Sequence, residues 1–564
     1  MRILGWLTAI VLVGRPLVAQ VVDSAVAIPM RDGVVLRATI LKPARPGPFP
    51  VLVYRTPYGA ASAARTYSMF RRAVERGYAV VAQDVRGRYR SEGEFDPYRQ
   101  ERHDGYDTIE WAAKQSWSDG NIGTFGLSYP GAVQWLAAIE QPPHLKAMVP
   151  AMTYSSARNF WYAGGLPDLS WPSWIWHNIA PDVRQRKNLP GPRTAREADS
   201  SWKVIGDSLV NRLPLTNVPE LAEVAPWYLE WLSHPPNDPW WDWTDLTTKY
   251  GTVTAAVLNL SGWHDDNYGP EGALTNHRGL LAARATAADP RTQLILGPWP
   301  HGVGGMSKRA PSQPGDRDFG PAAAIDYDEE ILRFMDRYVR GIDNGADRTP
   351  RFRIFVMGEN TWKTANTWPL PGTVPLRLNL SPDGLTEHQA PSAEHRLPSA
   401  EHRLPSAEHR LPSAEHRVPS AEFDTAPFPT DLRVVGNIRA TLYVSTDAPD
   451  TDVWLRLYDV APDGTVWDLM SPGLDVRRLS TRPDARPLVP GRPVMVELND
   501  LMTGNLFKRG HRLRAVFMTS FMPHFSRNLQ TGRSEIESAE FRPATVSLHF
   551  GPDHPSHLIL PVLP

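Results

Sequence analysis

Short apolar runs alternate with amphipathic stretches through the first quarter of the chain. Pro50–Arg55 and Tyr78–Gln83 are continuous apolar runs, the pattern of strands buried on both faces of a sheet. Between them, Ala60–Arg76 has helical spacing and ends at Gly77. Asp104–Trp117 repeats that spacing, with Ile109, Trp111, Ala112, Ala113 and Trp117 at its apolar positions. Val21–Ile28 and Val34–Lys42 flank Asp32-Gly33, a hairpin signal. A short strand ending near Gly126, a helix over Ala132–Ile139 and a strand over Leu145–Met152 follow. Strands alternating with helices predict a parallel α/β sheet.

The alternation stops after Met152. Tyr154–Thr252 holds Trp161, Trp171, Trp174, Trp176, Trp202, Trp227, Trp231, Trp240, Trp241 and Trp243, and helical periods recur in it, as over Val218–Leu232. A mostly helical insertion between sheet strands sits over their carboxyl ends, where substrates bind, so 154–252 reads as a cap. The sheet resumes with strands over Ala255–Ser261, Thr292–Leu296 and Arg353–Met357, and helices over Glu271–Ala283 and Ala322–Arg340. The α/β unit therefore spans 20–153 and 253–372.

Segment 386–422 is low in complexity. Pro-Ser-Ala-Glu-His-Arg-Leu recurs with prolines at 391, 398, 405, 412 and 419. Proline in every unit forbids a coiled coil, so a flexible loop or linker is predicted. Its histidines at 395, 402, 409 and 416 each lie between Glu and Arg, which reads as a solvated repeat and not as a metal tract. From 423 to 564 short β-rich runs separated by Gly, Pro and Asp predict an all-β sandwich or jelly roll.

Length and composition narrow the class. A chain of 564 residues exceeds what one core fills, so two or more domains are expected. The formal net charge of −1 gives no basic excess for nucleic acid or an anionic membrane. With no cysteine there is no disulfide, thiolate metal site or cysteine nucleophile. Met1–Ala19, with Arg2 ahead of the apolar run Ile3–Val13, reads as a signal peptide. The mature protein is therefore expected to be secreted or periplasmic, with no membrane association once the signal is removed.

Candidate chemistry centres on Gly126-Leu127-Ser128-Tyr129-Pro130-Gly131, a serine on a tight turn between strand and helix. That is the layout of the α/β-hydrolase nucleophile elbow, G-x-S-x-G, although Pro130 takes the last glycine position. A serine hydroxyl needs a histidine to remove its proton and a carboxylate to orient that histidine, in the chain order Ser, acid, His. Asp265 lies just past one later strand, with Asp266 as a rival acid, and His301 lies just past the next.

These segments resemble the cocaine esterase and α-amino acid ester hydrolase group, which is related to X-Pro dipeptidyl aminopeptidases. Gly126–Gly131 matches the group's G-x-S-Y-x-G. Gly262-Trp263-His264-Asp265 matches its G-W-x-D, and Gly297-Pro298-Trp299-Pro300-His301 its G-P-W-x-H. The resemblance implies an α/β-hydrolase fold with a helical cap and a C-terminal jelly roll, in which Ser128, Asp265 and His301 are catalytic. It also implies an oxyanion hole from the Tyr58 hydroxyl, in Arg55-Thr56-Pro57-Tyr58, and the Tyr129 N–H. No metal or other cofactor is needed. A small ester or amide substrate follows, aminoacyl and peptide types included, and a homo-oligomer is compatible with the pattern. The group's amino-acid esterases carry a carboxylate cluster beyond the catalytic Asp, whereas here only Asp266 precedes Asn267 and Tyr268. Serine esterase or acylase is the leading reading. X-Pro dipeptidyl-peptidase is the enzymatic alternative, and a non-catalytic glycan- or partner-binding protein the alternative of another class.

Overall fold

Along Phe49–Thr56, Val51 and Val53 enter one hydrophobic core while Leu52 and Tyr54 enter a second on the opposite face. A strand that feeds two cores has no polar face, which is why it reads as an unbroken apolar run. The computed structural model describes residues 20–156, 160–284, 289–307, 317–388, 393–398, 420–471, 476–481 and 488–564. The expected signal peptide lies outside these residues.

The main sheet has ten strands. It begins with β1 (Gln20–Pro29), β2 (Val35–Pro43), β3 (Phe49–Thr56), β4 (Ala79–Asp84), β5 (Ser118–Leu127) and β6 (Leu145–Ala151). In space the order is β1-β2-β4-β3-β5-β6, then Ala256–His264, Thr292–Pro300, Phe352–Val356 and Thr361–Ala365. From β4 to Phe352–Val356 every neighbouring pair is parallel. The β1–β2 hairpin, the β2–β4 pair and the last pair are antiparallel. After β4 the chain returns to the other side of β3, so the order switches between β3 and β5. The carboxyl ends beside such a switch form a ready-made crevice.

The predicted helix over 60–76 is two, α1 (Ala60–Thr66) and α2 (Ser68–Glu75), broken at Tyr67, whose backbone is extended at φ −83°, ψ 118°. Glu101–Ala113 (α3) and Tyr129–Ala138 (α4) follow. Helix Tyr327–Tyr338 is shorter than the predicted 322–340 and starts at an Asp326 side chain that accepts the Glu329 N–H at 3.0 Å. Segment 160–252 is mostly helical, with one small hairpin, Tyr162–Ala163 against Leu166–Pro167. Its tryptophans largely pack on one another, as in Trp161–Trp231 at 4.8 Å and Trp227–Trp231 at 5.1 Å between ring centroids.

The C-terminal part is a sandwich of a seven-stranded and a five-stranded sheet among the described residues, with its own core. It begins earlier than the expected residue 423. Val374–Ser381 pairs along its length with His557–Val562 near the C-terminus. That contact spans most of the domain and leaves no local signal. The repeat is also more ordered at its ends than a loose linker. Ala393–Pro398, in its first unit, pairs with Thr545–Phe550, and Ser420–Asp424, at its end, pairs with Arg512–Met518 in the other sheet. Extended chain is what an X-Pro repeat favours, so an edge strand costs it little. Residues 399–419 lie outside the described set.

Candidate active site

Ser128 sits between β5 and α4 with φ 69° and ψ −129°. A non-glycine residue held there costs roughly 1–3 kcal/mol and persists only where the surroundings enforce it. The enforcement comes from close packing: the Ser128 N–H donates to Ala151 O at 3.0 Å, and the Gly131 and Ala132 N–H groups donate to Ser128 O at 2.8 and 3.0 Å. A Cβ at Gly131 would meet Ala151 O at 2.6 Å. The displaced glycine of the motif is thus the one that lets the helix approach β6, and Pro130 sits at the start of α4, where proline needs no N–H acceptor.

The side chain of Tyr129 points away from solvent into a buried polar cluster. Its hydroxyl donates to Glu101 at 2.8 Å and accepts the Tyr98 N–H at 3.1 Å, and Glu101 pairs with Arg55 at 2.6 Å. Its ring stacks on Tyr98 at 4.4 Å. Only the N–H of Tyr129 can therefore serve the turn, and as the first in the helix it has no intrahelical acceptor.

Asp265 and His301 follow the neighbouring strands Ala256–His264 and Thr292–Pro300. Gly262 and Gly297 are register partners there, and a Cβ on Gly262 would meet Trp299 O at 2.0 Å. Trp263 and Trp299 are buried and anchor both ends, donating to Phe355 O and Ala323 O, each at 2.8 Å. His301 Nδ1 lies 2.9 Å from Asp265 Oδ1, which also accepts the N–H groups of Asn267 at 3.1 Å and Tyr268 at 3.3 Å. Burial alone would lower the His301 pKa, but the Asp265 charge and hydrogen bond outweigh it and hold the imidazolium above its ordinary range. The rival acid, Asp266, is exposed. It adds to the charge felt by His301, but the hydrogen bond to the ring is made by Asp265.

Tyr58 lies just beyond β3. Arg88, fully buried, donates to Pro57 O at 2.9 Å and fixes the loop. The Trp174 indole N–H donates to the Tyr58 hydroxyl at 3.1 Å. Burial pushes the phenol up to about 12, against the pull of hydrogen bonds with Trp174 and the Ser128 hydroxyl, so it is a neutral donor at ordinary pH.

One cavity of about 670 Å³ is lined by Tyr58, Ser128 and His301, together with Phe160, Trp171, Trp174 and Tyr268. Every sequence-predicted site residue except Asp265 and Tyr129 reaches its wall. Those two lie behind it, Asp265 bonded to His301 and Tyr129 with its side chain turned into the buried cluster. Two wall residues were not singled out from the sequence. Tyr268 packs its ring 5.6 Å from that of His301 and bonds the Tyr98 hydroxyl at 3.2 Å. Asp168 accepts the Ser170 N–H at 2.7 Å and has no basic partner among the described residues. Burial, assisted by nearby Asp266, pushes its carboxyl up to about 7. Neither residue belongs to a motif; only their place beside a candidate acid and inside a tryptophan-rich insertion hinted at them. No group of three or more potential metal ligands occurs among the described residues.

Residues 32–303 match the family model for X-Pro dipeptidyl-peptidase (S15 family), and 344–559 match its C-terminal non-catalytic domain. The chain is 32% identical to cocaine esterase of Rhodococcus sp. (strain MB1 Bresler), over 96% of this chain and 98% of that one. A solved aminopeptidase from a marine sediment archaeon, Thaumarchaeota archaeon, superposes with TM-score 0.77 at 22% identity, covering 97% and 96% of the two chains. An α-amino acid ester hydrolase superposes with TM-score 0.70 at 22% identity, covering 98% and 99%.

Proposed function

Since the chain belongs to the serine hydrolase family of cocaine esterase and the S15 X-Pro dipeptidyl-peptidases, and hydrolyses ester or amide bonds, we propose that it works through a Ser128 acyl-enzyme. Ser128 Oγ attacks the carbonyl carbon as His301 takes its proton. Asp265 accepts the Nδ1–H of His301, which leaves Nε2 as the base. The Tyr58 hydroxyl and the Tyr129 N–H receive the charge that develops on the carbonyl oxygen. His301 then protonates the departing alcohol or amine, and a water, activated in the same way, releases the acid and restores Ser128. The observation that carries this reading is the strained serine sharing a cavity wall with a histidine that a buried carboxylate holds at 2.9 Å.

The walls Phe160, Trp171, Trp174 and Tyr268 favour an aromatic or branched apolar acyl group. An amine-bearing acyl group, or the free N-terminus of an X-Pro peptide, is the second reading. Asp168 in the same cavity favours it. Secretion through Met1–Ala19 belongs to the proposal as well. Labelling with a fluorophosphonate probe, with Ser128→Ala as control, tests the nucleophile. Comparing p-nitrophenyl acyl esters with X-Pro-p-nitroanilides then separates the two readings. A wild-type protein that neither labels nor turns over any of these substrates would refute the mechanism.

A further inference from the structure

Two residues of the β sandwich, the region matched as non-catalytic, touch the strand end that carries Asp265. The Ser471 hydroxyl donates to the backbone carbonyl of Asp265, and the ring of His264 faces two carbonyls, Asp468 O at 3.2 Å and Pro298 O at 3.3 Å. Pro298 lies on the strand that leads to His301. His264 therefore joins the acid strand, the base strand and the sandwich in one buried contact.

The sandwich side of this contact is built to stay in place. Arg456, 1% exposed, pairs with the Asp468 carboxylate and donates to Met470 O at 3.1 Å. The Met470 N–H donates to Asp468 Oδ1 at 3.2 Å, and the Thr503 hydroxyl to Leu469 O at 2.7 Å. Residues 468–470 are thus each tied to the sandwich core before Ser471 reaches across. On the hydrolase side, Asp265 stands at the first residues beyond its strand, where the chain turns. Its N–H donates to Gly262 O at 3.2 Å, and its carbonyl is the group Ser471 holds. Rotation of that peptide would carry the carboxylate away from His301 Nδ1.

We propose that Ser471 is a positioning residue for the reaction, acting through Asp265, and that the β sandwich thereby sets the alignment of the catalytic pair. The inference rests on Asp265 being the acid that orients His301. Misplacing a catalytic group by about 1 Å costs on the order of a hundredfold in rate. Loss of a single restraint is expected to give about ten- to a hundredfold.

The test compares Ser471→Ala, Ser471→Thr and Ser480→Ala in the full chain. Ser480 donates to Asp450 at 2.8 Å elsewhere in the sandwich, so its loss reports on domain stability alone. Expected for Ser471→Ala are a fall in kcat of that size, KM within about twofold, and an acid limb of kcat/KM at lower pH, because the imidazolium loses part of its carboxylate support. Ser471→Thr keeps the donor and restores both kcat and the limb, while Ser480→Ala changes neither. Unchanged kcat and limb in Ser471→Ala overturn the proposal. So does a loss matched by Ser480→Ala in step with a lower Tm. Fluorophosphonate labelling of the wild type and its absence in Ser128→Ala judge the acyl-enzyme reading separately.

Discussion

The indole N–H of Trp174 donates to the hydroxyl of Tyr58 at 3.1 Å, so a side chain of the helical insertion fixes one that leaves the sheet beside the switch in strand order. The lone pair of Tyr58 is taken by Trp174, and its own proton is left to face Ser128. Tyr58→Phe removes that proton and should lower kcat by about 10²–10³ with little change in KM. Trp174→Phe frees the phenol to rotate and should cost about 1 kcal/mol, roughly fivefold in kcat. Steady-state kinetics on one ester separates the two effects. Equal losses in both variants would mean that Tyr58 acts only by packing.

In the proposed mechanism neutral His301 is the base, and Asp265 raises its pKa. Activity is therefore lost as pH falls through a value above the usual imidazole midpoint of about 6.5. Asp265→Asn should lower kcat by roughly 10⁴ and move the remaining acid limb down in pH, since the support for the imidazolium is gone. A limb that moved up would contradict the assignment of Asp265.

Asp168 is neutral below about 7 and anionic above it. If the cavity takes an amine-bearing acyl group, the preference for an α-amino acyl ester over its des-amino analogue should rise with pH through that value. In Asp168→Asn the preference should be flat and low. Measuring the ratio of kcat/KM for the two esters across that range decides it, and a ratio that ignores both pH and the substitution removes Asp168 from recognition.

Gly131 has no space for a methyl group. Gly131→Ala should destabilise the protein by about 1–3 kcal/mol and slow probe labelling, because α4 is pushed off β6. Gly251→Ala, where an added Cβ meets nothing within 4 Å, should stay within about 0.5 kcal/mol of wild type. Urea melts of both variants provide the comparison.

Glu101 and Arg55 are each 4% exposed, and their pair supports Tyr129. Glu101→Gln leaves a guanidinium without its countercharge and should cost about 3–5 kcal/mol. Replacing both partners by methionine should cost less than the single change, because no buried charge is stranded. Additive losses in the double variant would contradict this.

The parallel sheet and the strand-end residues were legible because each is encoded locally. Apolar runs mark strands that feed two cores, glycines at 126, 131 and 262 mark places where backbone crowds, and Gly297 makes room for the Trp299 indole. Ser471 could not be read in this way. It meets Asp265 across 206 positions, and a serine ahead of a proline has no pattern of its own. The start of the sandwich at Val374 was hidden for a similar reason, since its partner strand lies at the other end of the domain. Thr361–Ala365 was passed over because it is an edge strand with no fully buried residue, so it lacks the apolar run that revealed its neighbours. Asp168 gives a further case: in sequence it is an acid in a loop, and only the cavity makes it unusual.

The two ends of the repeat tract are stitched into different sheets, Ala393–Pro398 beside Thr545–Phe550 and Ser420–Asp424 beside Arg512–Met518. Because successive units are almost identical, slippage during replication that adds or removes a whole unit presents the same Ala-Glu-His-Arg-Leu-Pro to the first edge and the same Ser-Ala-Glu-Phe-Asp to the second. Copy number is thereby uncoupled from the two strands, whose pairing partners lie elsewhere in the sandwich. The tract is a place where the gene can vary in steps of seven codons without the enzyme having to refold around the change.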